Sequence, residues 1–325
     1  MRLLERYEQD LQHIKDAQGW VLLLGLLAAL VLLPLVAPGY IVYNVTLFFV
    51  FSLVAVALMI LVGFTGQVSL GHAGFLAAGA YTTAYLVSVG WPFVLALVAA
   101  LLVSGALGVV IGLPALRLEG PYLAIATLGF GLAIQQILNN WRLVGASTGM
   151  LADRPRLLGV DFFGDTPFYF FTLVIVGFFV WLAFNLKRSH VGRAFVAIRD
   201  AELAAQMSGV DVARFKTLAF ALSAAMTGVA GGLYGALLGY ITPESFNLIL
   251  SVKFLLMIVV GGLGFLPGAI LGAAFITGLE VVLSAQQNRS QLLFGVVVIL
   301  IMLLEPRGLY GRWQKVRRYW QTWPL

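Results

Sequence analysis

Polar side chains able to do chemistry are sparse in this chain. Their densest grouping is GFTGQVSLGHAGF, Gly63 to Phe75, where Thr65, Gln67, Ser69 and His72 sit among Gly63, Gly66, Gly71 and Gly74. Two hydroxyls, an amide and an imidazole offer weak, reversible hydrogen bonds to a polar solute, and the glycines allow a helix to unwind or a neighbour to approach closely. His72 has no carboxylate or second histidine near it in sequence, so it reads as a hydrogen-bonded packing residue rather than a metal ligand or proton carrier. No metal site is expected. Lys253 and Glu280 are the only charges inside apolar segments, both near a segment end, which argues against proton or sodium coupling. No lysine follows a glycine, so a phosphate-cradling GxxxxGK[ST] loop is absent and no catalytic residue is assigned. The chain has no cysteine, which excludes disulfides, thiolate metal sites and a cysteine nucleophile.

The second polar grouping is the stretch KRSHVGRAFVAIRDAELAAQMSGVDVARFK, residues 187–216. Asp200 is placed to cap a short helix from Ala201 to Ser208, with Glu202 at its positive end and Gly209 as its stop, before Asp211 caps the next segment. Ala204, Ala205, Met207 and Val210 then form a small apolar surface framed by Arg193, Arg199, Arg214 and Lys216, the pattern of a docking knob. A solvated basic loop that serves only orientation is the plainer alternative.

These groups must be held by helices in lipid. Of 325 residues, 61% are hydrophobic and 10% charged, against roughly half and a quarter in soluble domains. The apolar residues gather into runs long enough to cross ~30 Å of hydrocarbon. Ten are expected as spans: Trp20 to Ala37, Ile41 to Gly63, Ala73 to Val89, Pro92 to Leu113, Tyr122 to Leu138, Pro167 to Leu186, Thr217 to Leu238, Val252 to Leu263, Gly268 to Ser284 and Leu292 to Leu304. The eighth and tenth are short for a full crossing and read as helices that begin in the adjoining loops or run part-way.

With the amino terminus inside, fifteen Lys/Arg fall on the inner side and four (Arg142, Arg154, Arg156 and Arg289) on the outer, with Lys253 at a span edge. That asymmetry assigns both termini to the cytoplasm. The net charge of +6 is explained by it without nucleic acid. Trp20, Tyr40, Trp91, Trp141 and Tyr240 fall where interfacial aromatics belong. The expected fold is an all-α polytopic membrane protein forming one domain over residues 1–325. It has a cytoplasmic tail at 1–18, a cytoplasmic loop at 187–216 and a basic cytoplasmic tail at 305–325.

Two further stretches are glycine-rich: AGGLYGALLGYITPESF, Ala230 to Phe246, and GGLGFLPG, Gly261 to Gly268. The first and second of the three would follow the second and seventh spans, where an inverted repeat of five plus five helices places equivalent breaks. For each cluster the competing reading is close helix packing through glycine.

Four ordered motifs carry a resemblance. GQVSLGHAGFLAAGAY, GPYLAIATLGFGLAI followed by STGM, GRAFVAIRDAELAAQMSGVDVARFKTLAF and GGLGFLPGAILGA together resemble the permeases of branched-chain amino-acid ABC importers, LivM type, over residues 40 to 309. The resemblance implies a subunit of the bacterial inner membrane, surrounded by lipid. Its implied partners are a homologous second permease of LivH type, two cytoplasmic ATPases that hydrolyse ATP in its stead, and a periplasmic substrate-binding protein. No cofactor is implied for this chain itself. The segment at 187–216 then carries the ATPase coupling helix, with Arg193, Arg199, Asp200, Glu202, Ala205 and Gly209 as candidates; Glu202, Ala204, Ala205 and Gly209 loosely follow the EAA...G pattern of importer permeases. The candidate translocation path is Thr65, Gly66, Gln67, Ser69, Gly71, His72 and Gly74. Glu305, before Pro306 and Arg307, stands where the family leads one to expect a basic residue. Permeases for urea or short amides share these motifs, and a self-sufficient carrier or channel is the reading from a different class.

Overall fold

A computed structural model describes residues 17–118, 120–157, 160–161, 164–283, 290–305 and 308–322 of the chain. The tail with Arg2, Arg6 and Lys15, and the residues Arg289, Pro306 and Arg307, lie outside the described residues.

Each expected apolar run lies on a helix. These are α1 (Ala17–Val36), α2 (Gly39–Leu58, continued by a wider π turn over Met59–Phe64), α3 (His72–Ser88), α4 (Phe93–Ala115), α5 (Pro121–Asn140) and α6 (Asp165–Arg188). Two loop helices follow, α7 (His190–Asp200) and α8 (Glu202–Met207), then α9 (Val212–Leu238), α10 (Leu248–Gly261), α11 (Leu266–Leu283) and α12 (Ser290–Leu304). The chain closes with α13 (Gly308–Thr322). Among the described residues, seven helices are long and apolar enough to cross a membrane, which makes this an all-α polytopic membrane protein.

The centre of the bundle is α2, whose residues Val50 to Leu61 are almost wholly buried, and α9, which packs along α4, α3 and α2. Small residues permit that contact. Along α4, Ser104, Gly108 and Gly112 are buried toward α9, and a Cβ added to Gly112 would come 3.2 Å from the Cα of Thr217. On α3, a Cβ at Gly79 would overlap the carbonyl of Gly228. Backbones this close gain dispersion contacts that large side chains would prevent, the main attraction between helices in lipid.

The connections sort into two faces. At one, Arg199 reaches Gly63 and Lys187 reaches Gly264. At the other, Met150–Leu151 and Tyr240–Ile241 pair as antiparallel strands β1 and β4. Between them in sequence, Arg156–Leu157 and Val160–Asp161 (β2 and β3) form a hairpin. Tyr240 also donates its hydroxyl to the Thr148 carbonyl, and Arg154 pairs with Asp165 at 2.9 Å. Tyr40, Trp91, Trp141 and Tyr240 are each about half exposed, as interfacial rings are.

The three glycine-rich stretches differ from one another. The first is a true break, with unwound backbone from Gly66 to Gly71. The second is corrected: α9 runs unbroken to Leu238, and the break is confined to Gly239–Asn247, beginning at Gly239 with φ +74°. Its glycines Gly231, Gly232 and Gly235 belong to the packed interior of α9. The third is a tight turn between α10 and α11, where Gly262 and Gly264 take φ of +115° and +86°, out of reach of most side chains.

Candidate functional site

The break after α2 is made from a helix end. The π turn leaves the terminal carbonyls in need of donors. The Gln67 amide donates to the Leu61 carbonyl at 3.3 Å and Gly66 to Val62 at 3.1 Å, while the Thr65 hydroxyl also turns back on Leu61. The chain then passes back into the bundle. Ser223, the contact of His72, lies eleven residues into α9 from Val212, about 16 Å along its axis at ~1.5 Å per residue.

Unwound backbone at that depth survives only if protein satisfies it. Side chains from three other helices do so: Thr127 Oγ1 of α5 accepts from the Leu70 amide at 2.9 Å, and Ser251 Oγ of α10 accepts from the Ala73 amide at 3.0 Å. Ser223 of α9 donates to the carbonyl of Ala57 at 2.7 Å. With its proton spent there, Ser223 must accept from His72 Nε2 at 2.8 Å, which leaves His72 Nδ1 to accept from Ser69 Oγ at 3.0 Å. A neutral imidazole with its proton on Nε2 therefore satisfies every group along this chain of bonds.

Thr65, Gln67, Ser69 and His72 are all buried, His72 completely, while Gly66 is exposed. Gln67 donates its side-chain amide to Thr65 at 3.2 Å, and its oxygen has no partner among the described residues. Gly71 and Gly74 lie against α5: a Cβ on Gly71 would overlap the Thr127 carbonyl, and one on Gly74 would come 3.0 Å from Gly131 Cα. On the other side of this crossing is a narrow crevice of about 10 Å³, lined in part by Leu70, Ala73, Gly131, Gln135, Asn247 and Ser251. The four polar residues were visible in the sequence. Their partners Thr127, Ser223 and Ser251 were not, since each is isolated on an apolar helix 57 to 178 residues away from the group it meets.

The loop of α7 and α8 is more ordered than its sequence suggests. Helix α7, not anticipated, is capped by Ser189, which accepts from the Gly192 amide at 3.3 Å, and buries Ala194, Phe195 and Ile198 along one face. The Ser189 cap and the 195/198 spacing were its available signals. Asp200 does not cap α8, as had been expected. It ends α7 and holds Arg199 through bonds of 2.9 and 2.8 Å, and α8 starts from the extended Ala201 with no side-chain cap. Asp211 does cap α9, accepting from the Arg214 amide at 3.0 Å, and Gly209 takes φ +83° just past α8.

The expected apolar surface is also redrawn. Ala205 is buried, because α8 is pinned by Glu202, which receives Lys216 at 2.6 Å, and Lys216 is itself buried rather than framing a surface. Ala204 and Met207 are exposed as expected, and the large exposed apolar residues of α8 are Leu203 at 79% and Met207 at 91%. Arg193 is exposed and bonds the Arg188 carbonyl at 3.1 Å. Lys253 and Glu280 pair with each other across α10 and α11, with Lys253 over the Phe51 ring, so neither charge is alone in the apolar layer. Glu305, just after α12, accepts from Arg312 of α13 at 2.8 Å. Among the described residues no cluster of His, Asp and Glu could hold a metal ion.

A bundle of apolar helices with one unwound in its interior, satisfied by hydroxyls of its neighbours, is the architecture of a membrane permease. The chain belongs to the family described as branched-chain amino acid transport system / permease component, whose model matches residues 40–304. Among curated proteins it is 33% identical over 313 residues to the high-affinity branched-chain amino acid transport system permease protein LivM of Salmonella typhimurium, and likewise to that of Escherichia coli. Each alignment covers 88% of this chain and 74% of the relative. The LivH permease of the same system in Escherichia coli is 25% identical over 302 residues, covering 83% of this chain and 94% of LivH. No solved structure matches the chain.

Proposed function

We propose that this chain forms half of the translocation path of an ATP-driven importer for branched-chain, hydrophobic amino acids. The observation that carries the reading is the similarity to LivM along 88% of the chain. Its second similarity, to LivH, supports pairing with a homologous permease of that type. Two cytoplasmic ATPases hydrolyse ATP for it, since the chain lacks a phosphate-cradling loop, and a periplasmic binding protein delivers the substrate. It sits in the bacterial inner membrane with ten crossings and both termini cytoplasmic, as the fifteen-to-four Lys/Arg asymmetry favours. The face bearing Arg199 and Lys187 is then cytoplasmic.

An inverted repeat of five plus five is supported by two short helices that follow breaks at opposite faces. These are α3, which is 17 residues long and follows the second apolar helix, and α10, which is 14 residues long and follows the seventh. The path follows Thr65, Gly66, Gln67, Ser69, Gly71, His72 and Gly74 together with the cleft beside Leu70 and Gln135. In that arrangement the buried polar residues hold the break open, and the cleft side meets the partner permease. The segment 187–216 couples to the ATPases through Leu203 and Met207, the exposed apolar pair of α8.

Reconstitution of the chain with its partner permease, ATPases and binding protein tests the reading. ATP-dependent uptake of radiolabelled leucine is expected. Uptake of urea in place of leucine would overturn the substrate, and uptake by the chain without ATPases would favour a self-sufficient carrier.

A further inference from the structure

Gly63 lies in the π turn that closes α2, one residue before its end at Phe64, and its carbonyl is one of the terminal acceptors that no backbone donor reaches in the bonds described above. It is taken by Arg199 Nη1 at 2.8 Å, a side chain 136 residues away on α7. The same guanidinium is gripped from behind by Asp200, so its three nitrogens are committed to two fixed partners. The fit around it is close. A Cβ on Gly66 would stand 3.3 Å from Arg199 Cγ, and one on Gly264 would stand 3.1 Å from Arg199 Nη1. Both glycines have φ near +80° (+73° and +86°), so the backbone turns around the arginine at two places.

Beside it, Lys187 at the end of α6 donates to the Gly264 carbonyl at 3.4 Å and lies over the rings of Phe64 and Phe265, at 5.5 and 5.8 Å from their centroids. The Gly264 amide in turn meets the sulfur of Met59 at 3.2 Å. Two cations therefore bind the carbonyl end of a helix, where the macrodipole favours positive charge, and the adjoining α10–α11 turn. Neither arginine nitrogen nor lysine is aimed at the exposed Leu203 and Met207 surface.

We propose that Arg199, seconded by Lys187, is the transmission joint of the permease: a positioning residue that ties movement of α7 and α8 to the break at Gly63–His72. The charge-assisted bond to Gly63 passes displacement of the loop directly to the last turn before the unwound segment. This inference rests on the docking reading of α8, and the two separate experimentally.

The complete transporter, reconstituted with partner permease, ATPases and binding protein, is assayed for ATPase co-purification, for stimulation of ATP hydrolysis by leucine-loaded binding protein, and for leucine carried per ATP. In Arg199→Ala the ATPases are expected to co-purify while leucine carried per ATP falls about tenfold or more, the scale of a lost charge-assisted hydrogen bond. Arg199→Lys, which keeps a charged donor, is expected to recover part of that ratio. An unchanged ratio in Arg199→Ala would overturn the joint, and loss of the ATPases from that variant would make Arg199 a docking residue instead. Paired cysteines at Gly66 and Arg199 provide a check independent of transport. A Cβ at Gly66 lies 3.8 Å from Arg199 Cβ, within disulfide range, and the pair should oxidise to a single intramolecular bond in this cysteine-free chain. Failure to oxidise in an assembled complex would also overturn the joint. If Leu203→Asp with Met207→Asp leaves ATPase association intact, the docking reading fails and the joint falls with it.

Discussion

The stretches Gly63–Phe75 and Ala230–Phe246 are alike in glycine content and opposite in structure. In the first the helix stops, and six residues, Gly66 to Gly71, pass through the interior as unwound chain. In the second the glycines lie inside an intact α9 and serve contact: a Cβ at Gly231 would overlap the Leu76 carbonyl, and one at Gly232 would come 2.5 Å from Leu97 Cδ2. The difference lies in polar side chains. Thr65, Ser69 and His72, with Thr127, Ser223 and Ser251 around them, provide hydrogen bonds to replace those the helix gives up. Around Ala230–Leu238 the nearest hydroxyl among the described residues, Thr83 Oγ1 packed against Gly232, makes no hydrogen bond to the backbone, and there the helix keeps its own bonds. Glycine permits either outcome in lipid, and available hydrogen-bond partners select between them.

The largest effect is expected where glycine serves contact. Gly79→Leu or Gly231→Leu forces side chains into opposing backbone and should cost more than about 3 kcal/mol, so that little monodisperse protein is recovered from detergent. Gly129→Leu and Gly278→Leu, where a Cβ meets nothing within 4 Å, should be recovered normally. Equal recovery of all four would remove the contact half of the comparison.

At the break, His72→Ala removes both bonds of the imidazole, leaving the Ser69 hydroxyl without its acceptor and Ser223 with only the Ala57 carbonyl. A loss of about 1–3 kcal/mol is expected, read as a lower thermal midpoint of the purified protein. An unaltered midpoint would mean that the polar side chains do not hold the break.

A smaller structural effect with a functional one is expected from Gly131→Leu. Its Cβ would stand 3.5 Å from Gly71 Cα, an ordinary contact, and its side chain would fill the cleft beside the break. Stability should change by less than about 1 kcal/mol while uptake is lost. Full uptake would remove the cleft from the path.

The least stability change belongs to the exposed loop. Leu203→Asp with Met207→Asp should stay within about 0.5 kcal/mol of the parent yet release the ATPases on purification. Ala205→Asp, in contrast, buries a charge under α8 and should unfold the loop itself. The orientation behind these expectations is checked by cysteine labelling, from inside at Ser189 and from outside at Thr166; the reverse pattern would invert it.

Hydropathy alone located the seven helices that are long and apolar enough to cross a membrane, because burial in hydrocarbon is a sum over neighbours along the chain and needs no partner. The polar cluster at Thr65–His72 and the loop at 187–216 were legible for the same reason, as local departures from an apolar background. Asp211 was legible as a cap, since a cap bonds three residues away. Asp200 was misread by the same rule, because Arg199 claims its carboxylate and α7 extends through it. Only the tertiary structure decided which glycine stretch unwinds, that Ala205 faces inward, and that Arg199 answers the carbonyl of Gly63. The unwinding and the Arg199 contact depend on donors and acceptors 57 to 178 residues apart, the inward turn of Ala205 on a Glu202–Lys216 pair across two helices, and a single serine or threonine on an apolar helix carries no sign of which backbone group it will meet.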